Sequence, residues 1–419
     1  MIKQALAALI DERRDLTEVE ATESMREIMR AGLEADGERA TEAQFGALVT
    51  ALRMKGESVD EIVGMARAMR EHSLHVVVAA KPLLDTCGTG GSNKKVFNAS
   101  TAAAFVAAGA GAKIAKHGNR AMTSQSGSAD LLEALGAVVT LGPEQVAQTI
   151  EKTGVGFMFA QTFHPAMKFA GPLRPQLGFR TVFNILGPLT NPAGAACHVM
   201  GVPNVELAEK MAHVLARLGM RHALVVTGED GLDDITVTGP TTMFEVRGDA
   251  VTQRTITPFD LGLSVHTADE IEGGTPEQNA QIFRDVLGGH GPLAVRDLIV
   301  AQAGAGLYVT GLAATLRDGV EMAIHSIDDG DAAAKVGAFV EATRRAAGKE
   351  QRAWPRRRAP PAPSSIASSR IDVCGSSRIA PRTTRRRCAI ASHRLARRCR
   401  SSIVSSTDGA RRPRVRGCG

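Results

Sequence analysis

A small helical domain followed by a larger α/β domain is the fold class that this 419-residue chain predicts, and three observations predict it. Residues 1–72 hold amphipathic pieces separated by helix-start signals. From about residue 80, short apolar runs alternate with Ala-rich helical stretches and glycine loops. The helical periodicity ends near Gly348, and beyond it Arg, Ser and Pro dominate. With 44% hydrophobic and 22% charged residues, a chain of this length holds two or three domains.

Three capping boxes punctuate the first segment: Thr17 with Glu20, Thr41 with Gln44, and Ser58 with Glu61. Apolar residues at helical spacing follow each, namely Met25, Ile28 and Met29, then Phe45, Leu48 and Leu52, then Ile62, Met65 and Met69. Gly32 and Gly56 are expected to stop helices. Such a segment reads as a packing or dimer module without chemistry. Further on, candidate strands at 111–115, 198–202 and 222–227 alternate with helical stretches at 128–135 and 206–218, and a last helix spans Asp331–Ala346. That alternation implies α/β architecture, whose loops gather ligands at the carboxyl ends of the strands.

Charge divides sharply along the chain. Residues 351–419 carry 18 Arg and 2 Asp, and residues 1–350 the other 32 basic and 42 acidic residues; a total of +6 is thus a body of −10 and a tail of +16. The basic balance says nothing about the body. Only Cys87 and Cys197 lie there, with Cys374, Cys388, Cys399 and Cys418 in the tail, and no CxxC pair points to zinc. Sparse cysteines, a poor signal peptide and no long apolar run fit a cytoplasmic enzyme, with no membrane partner expected.

Four segments carry chemistry. The first is residues 85–92, Asp-Thr-Cys-Gly-Thr-Gly-Gly-Ser, followed by Asn98-Ala-Ser-Thr101 and an Ala-rich helix. Clustered glycines let backbone amides approach a phosphate, and a helix start with Asn98 and Ser100 as N-cap types adds a positive dipole end. The GxGxxG spacing and the Gly-Lys-Ser/Thr ending are absent, so the turn is neither a Rossmann nor a Walker motif. A plain tight turn is the alternative.

Residues 113–130 concentrate Lys116, His117 and Arg120 among Gly118, Asn119, Ser124, Ser126, Gly127 and Ser128, between a candidate strand and a helix. Cations, hydroxyls and amides together suit a polyphosphate. Residues 228–234 end in Asp233-Asp234, a pair that would repel unless a cation such as Mg²⁺ joined it, or that forms a solvated acidic turn. The fourth segment runs from His164-Pro165 through Arg174 and Arg180 to Asn184 and Asn191-Pro192. Either arginine could clasp a carboxylate or form a structural ion pair.

Taken together, these segments resemble the anthranilate phosphoribosyltransferase family. GTGG followed by FNAST, KHGNR, SGSADLLEALG, HPAMK with LRPQLGFRTVFNILGPLTNP, and GLDD occur in the family's order and near its spacing, over about residues 1–348. The resemblance implies a helical domain at 1–72 that makes a homodimer contact, with part of 163–195 packing on it. It implies an α/β catalytic domain at 73–348, of the nucleoside phosphorylase/phosphoribosyltransferase class. The implied reaction joins the amine of anthranilate to C1 of phosphoribosyl pyrophosphate and releases pyrophosphate, in tryptophan biosynthesis.

By the same resemblance, Gly88, Gly91, Ser92, Val96, Asn98, Ser100, Thr101, Lys116, His117, Gly118, Asn119, Arg120, Ser124 and Ser128 would hold phosphoribosyl pyrophosphate. Gly88, Asn119 and Arg174 would contact anthranilate, and Ser100, Asp233 and Asp234 would hold Mg²⁺. Lys116, Asn119 and Arg174 form the expected catalytic set. Three positions depart from the family's habit: Ser92 for Asp, Val96 for a hydroxyl residue, and Asp234 for Glu, whose shorter side chain is expected to reach a metal through water.

The implied chemistry needs little acid–base help, because an aromatic amine already carries its lone pair. Expelling pyrophosphate is the hard part, and cations and amides can stabilise its growing charge. No covalent nucleophile is therefore nominated, and His117 is expected to hydrogen-bond rather than shuttle protons. A pyrimidine nucleoside phosphorylase shares the Lys-His-Gly loop, but its family tends to place Gly where this chain has Asn119. A nucleic-acid-binding, non-catalytic relative would use the basic tail. The acidic body argues against it, and no nucleic-acid partner is expected.

The tail, 349–419, lacks Lys and interleaved aromatic residues, which argues against a disordered nucleic-acid arm. Its composition fits an out-of-frame translation of GC-rich DNA. Residues 364–370 back-translate so that the neighbouring frame spells Ile-Leu-Asp-Arg-Ile-Val-Ala, which resembles the opening of indole-3-glycerol-phosphate synthase. Resequencing around codon 350 tests that reading.

Overall fold

The computed structural model describes residues 1–33, 39–91, 94–121 and 125–348; the expectations for Ser92, Ser124 and the tail lie outside the described residues. Four helices come first: α1 (Ile2–Ile10), α2 (Glu18–Leu33), α3 (Glu42–Lys55) and α4 (Val59–Glu71). The three capping boxes form. The Glu20, Gln44 and Glu61 amides donate to Thr17, Thr41 and Ser58 hydroxyls at 3.3, 3.2 and 3.3 Å, and their side chains accept from the amides of those same residues. Met25, Ile28, Phe45, Leu48, Leu52, Ile62 and Met65 fill one shared core, which is why three different helices carry apolar residues at the same period.

Gly56 closes α3 at φ +86°, as expected of a terminating glycine. Gly32 has another purpose. It remains inside α2, and a Cβ there would overlap the Ala166 carbonyl oxygen, so glycine permits a close approach between two backbones.

The sheet has seven strands: β1 (Leu83–Asp85), β2 (Lys113–Gly118), β3 (Val155–Phe159), β4 (Cys197–Gly201), β5 (His222–Gly228), β6 (Thr241–Arg247) and β7 (Ala250–Ile256), in the order β3-β2-β1-β4-β5-β6-β7. The first five are parallel, and β6 and β7 extend the sheet antiparallel. Between and after them lie α5 (Ala99–Gly109), α6 (Ser128–Ala134), α7 (Pro143–Thr153), α8 (Ala160–Phe163), α9 (Met167–Leu177), α10 (Phe183–Leu186), α11 (Val205–Arg217), α12 (Pro276–Gly288), α13 (Leu293–Thr310), α14 (Leu316–Asp328) and α15 (Asp331–Ala346). Alternate strand residues serve opposite faces. Leu84, Ile114, Phe157, Val199 and Leu224 join the core with α5 and α13, while Leu83, Ala115, Met158, Met200 and Ala223 join cores on the other side. Burial on both faces explains the continuous apolar runs.

Residues of α9 and α10 share the core of the first four helices: Phe45 lies 6.0 Å from the Phe169 ring and 5.6 Å from Phe183. One expectation needs correction at β2. Lys116, His117 and Gly118, read from the sequence as a binding loop, are strand residues paired with Phe157, Met158 and Phe159. Because β2 is flanked on both sides, the strand stays buried through its charged end.

From β1 the chain builds outward through β2 and β3, then returns to lay β4 and β5 on the opposite side. The reversal between β1 and β4 puts the expected ligand crevice at their carboxyl ends, the usual position in an open parallel sheet.

Candidate active site

The glycine turn leaves β1 at Asp85 and meets two other loops at this crevice. A Cβ on Gly88 would lie 2.7 Å from the Gly201 carbonyl oxygen, and the Thr89 amide donates to that oxygen at 2.9 Å. On Gly201 itself, a Cβ would overlap the Asp233 carbonyl oxygen. Glycine is thus required where the first segment, the end of β4 and the acidic segment stack backbone on backbone.

Beneath the turn is a buried polar knot. Asp85, fully buried, accepts the His117 amide at 3.2 Å and the Asn191 side-chain amide at 2.6 Å; Asn191 also donates to the Ala115 carbonyl at 2.8 Å. Lys116 Nζ donates to the Thr86 carbonyl at 3.1 Å and to its hydroxyl at 3.0 Å. The Thr86 hydroxyl donates in turn to the Ser100 carbonyl at 2.9 Å, in the first turn of α5. An ammonium is therefore held between the glycine turn and a helix start. The Asp234 carboxyl is pushed well above its ordinary range by burial and by the adjacent Asp233, with the charge of Lys116 acting against the rise.

His117 and His164 form a second feature, with ring centroids 5.1 Å apart. Burial, reinforced by His164, lowers the His117 pKa to about 3, and burial lowers that of His164 to about 4. Both are neutral near pH 7. His117 Nδ1 lies 3.0 Å from the Gly187 carbonyl, which fixes the proton on Nδ1 and leaves Nε2 an acceptor. Among the described residues, the Nε2 atoms of both histidines are buried without a hydrogen-bond partner.

Of the two arginines in the fourth segment, Arg180 reaches the glycine turn. Arg180 donates to the Gly90 carbonyl at 3.0 Å, and a Cβ on Gly91, at φ +113°, would overlap its guanidinium. Arg174, half-buried in the last turn of α9, lies 5.9 Å from the Phe183 ring, and burial together with Arg180 lowers its pKa. Among the described residues neither arginine pairs with a carboxylate, so the ion-pair reading of both is corrected.

Other expected ligands have different partners. Arg120 forms an ion pair with Glu133 and with Asp130 at 3.2 Å, over the Phe159 ring, because α6 presents both acids one turn apart. In this structure its charge is spent on α6 rather than left for a phosphate. Asn98 occupies the N-cap position of α5 without capping it. Its side chain donates to the Ser126 carbonyl at 2.8 Å and accepts from the Ser126 hydroxyl at 2.9 Å and the Asn279 amide at 2.8 Å.

Val96 pairs in a short antiparallel bridge with Glu272, and Thr101 is buried in α5. Ser128 donates to the Asn119 carbonyl at 3.1 Å, in space left by the absent Cβ of Gly118. Asn119 Oδ1 accepts the Arg120 amide at 2.8 Å. The sequence reading gives no role to Asp85, Thr86, His164, Asn191 or His198, whose Nε2 lies 2.8 Å from the Cys87 carbonyl. Asp85 is visible in the sequence as an acid at a strand end, immediately before clustered glycines.

Residues 3–73 match the helical bundle domain of a glycosyl transferase family, and residues 80–333 match its a/b domain. A protein from Rubrobacter xylanophilus called anthranilate phosphoribosyltransferase is 52% identical over 334 residues, covering 80% of this chain and 95% of that one. This chain belongs to the anthranilate phosphoribosyltransferase family. It is an enzyme of that family.

Among solved structures, anthranilate phosphoribosyltransferase from Thermus thermophilus is 42% identical, with a TM-score of 0.75, covering 82% of this chain and 99% of the other. The Saccharomyces cerevisiae enzyme in complex with PRPP and Mg is 27% identical, with a TM-score of 0.75 and coverage of 82% and 98%. No helix among the described residues is long and apolar enough to cross a membrane.

Proposed function

We propose that this chain transfers the 5-phosphoribosyl group of phosphoribosyl pyrophosphate to the amine of anthranilate, giving N-(5-phosphoribosyl)anthranilate and pyrophosphate, in the tryptophan pathway of the cytoplasm. One observation carries the assignment of residues. The glycine turn meets the Asp233-Asp234 segment through Gly201, Lys116 through Thr86 and Arg180 through Gly90, at the carboxyl ends of β1 and β4.

In this reading the amides of Gly88 to Gly91 and the start of α5 cradle the diphosphate, assisted by Ser100, Thr101 and Ser128. Lys116 lies beneath the turn, where its charge opposes that which develops on the departing pyrophosphate. Arg174 pairs with the anthranilate carboxylate, since no protein carboxylate competes for it among the described residues. Asn119, directly after β2, contacts anthranilate and sugar together. The Nε2 acceptor of His117, beside the His164 ring, orients the amine through its N–H group. With pKa values near 3 and 4 the two rings are poor bases, and an amine that already offers a lone pair needs none. Positioning and electrostatics therefore carry the rate.

The acidic pair fits a divalent cation. Asp233 and Asp234 are adjacent, and burial with mutual repulsion raises the Asp234 pKa, a cost that a cation removes. Mg²⁺ takes one or two carboxylates and completes its shell with substrate oxygens and water. Mg²⁺ held by Asp233, Asp234 and Ser100 would neutralise charge on the leaving pyrophosphate. A homodimer through the helical domain completes the reading.

Loss of anthranilate fluorescence on mixing the purified chain with phosphoribosyl pyrophosphate and Mg²⁺ tests this function. The expected result is a metal-dependent loss matched by equal release of pyrophosphate. No loss, with thymidine cleaved by phosphate instead, would move the assignment to a pyrimidine nucleoside phosphorylase.

A further inference from the structure

The loop between β5 and β6 is built around a carboxylate that the transfer chemistry leaves unused. Asp230 Oδ1 accepts the Leu232 amide at 3.0 Å, and its Oδ2 accepts the Thr236 and Thr238 hydroxyls at 3.1 and 2.8 Å. A Cβ on Gly228 would overlap Oδ1, so glycine at the end of β5 makes room for this carboxylate. The remaining neighbour comes from elsewhere in the chain. Lys94, on the segment that follows the glycine turn, places Nζ 3.4 Å from Asp230 Oδ2.

Among the described residues, the two loops therefore meet at two places. At one end Gly88, Gly201 and Asp233 stack by backbone; farther along, a single ion pair joins Lys94 to Asp230. We propose that Asp230 is a positioning residue that clips the glycine turn to the acidic loop through Lys94, and so sets the width of the cleft that takes the diphosphate. The proposal rests on the preceding reading of that cleft. Asp230 touches no reacting atom. It organises the turn that ends in Asp233 and Asp234, and its charge holds the facing loop at a fixed distance. The Lys94 side chain is 35% exposed and that of Asp230 18%, so the pair contributes little to global stability. Its effect is local, on the opening of one loop against the other.

Lys94→Met and Asp230→Asn, singly and together, test the clip. Cys87, half-buried within the glycine turn with burial pushing its thiol up to about 12, reports on it: its slow alkylation by iodoacetamide at pH 9, without substrate, quickens if the turn opens and is read by peptide mass spectrometry. Each single substitution is expected to raise the KM for phosphoribosyl pyrophosphate about three- to fivefold, the scale of one partly exposed ion pair, and to speed Cys87 labelling similarly. The KM for anthranilate and the thermal midpoint should hold for Lys94→Met, and the double variant should add little to either single one.

Asp230→Asn also loosens the threonine contacts, so Lys94→Met decides the matter if the former folds poorly. Unchanged Cys87 labelling in Lys94→Met, or fully additive effects, overturns the proposal. Should the parental chain fail to consume phosphoribosyl pyrophosphate, the functional reading falls while the substrate-free labelling still decides the clip.

Discussion

The helical module and the crevice between β1 and β4 treat buried polar groups in opposite ways. In the module, fully buried Glu61 accepts the Leu16 and Ser58 amides at 2.9 and 2.7 Å and Lys55 Nζ at 3.0 Å, while Glu27 accepts the Ile2 amide and pairs with the chain's amino terminus. Around the site, among the described residues, His117 Nε2 and His164 Nε2 have no partner, Arg174 has no carboxylate, and Asp234 is half-buried beside another acid. Among the described residues, the third unpartnered buried side-chain atom is Thr181 Oγ1, just before α10; none lies in the first four helices. A buried polar group left unpaired costs stability, so its persistence marks where a ligand supplies the missing partner. The contrast separates the part that holds the fold from the part that works.

Substitutions can break that contrast at either end. Gly201→Ala should do most, because its Cβ would drive the Asp233 backbone away from the glycine turn. A displacement of this kind is expected to lower kcat/KM about 100-fold or more, with much of the folded structure retained by circular dichroism. Near-parental kinetics would mean that the stack does not organise the site. Arg174→Ala should raise the anthranilate KM roughly 30-fold or more, the scale of losing one partner from a desolvated charge pair, with the KM for phosphoribosyl pyrophosphate nearly constant. An unchanged anthranilate KM removes Arg174 from carboxylate binding.

The pH dependence of stability sharpens the comparison. His117 and His164 titrate at about 3 and 4 in the folded chain, below the ordinary histidine value of 6.5. As pH falls through 6.5, the unfolded chain gains protons that the folded chain does not. Their contribution is therefore complete above about pH 6.5 and is lost progressively toward pH 4 and below, by up to about 1.4 kcal/mol per pH unit for each histidine. His164→Asn should flatten the fall in thermal midpoint between pH 6.5 and 4.5; an unaltered slope would contradict its burial as a neutral ring. The smallest effect belongs to the module. Ser58→Ala removes one cap and should cost about 1 kcal/mol in denaturant unfolding, with both KM values unchanged.

The same contrast explains what the sequence discloses. Capping boxes are local chemistry within four residues, so Thr17, Thr41 and Ser58 announce their helices without any tertiary information, and Asp331–Ala346 is legible for a similar reason of periodicity. Short buried strands lack such signals. β1 has three residues, β3 carries no alternation because both faces are covered, and the β6–β7 hairpin turns on Gly248-Asp249, a cue the reading leaves unused.

The glycine turn and the Asp233-Asp234 pair stand out as residue types, but their stacking through Gly201 is a long-range fact. Arg120 shows the limit of reading charge alone: Asp130 and Glu133, a short distance along the chain, claim it. Gly32 teaches the same about glycine, since its contact partner is Ala166.

Co-crystallisation with phosphoribosyl pyrophosphate, Mg²⁺ and an unreactive anthranilate analogue addresses the convergence most directly. The diphosphate should lie against Gly88–Gly91 and the start of α5, the metal at Asp233-Asp234, and the aromatic acid within reach of Arg174 and the free Nε2 atoms of His117 and His164. Ligands bound elsewhere on the chain, with that crevice vacant, would contradict it.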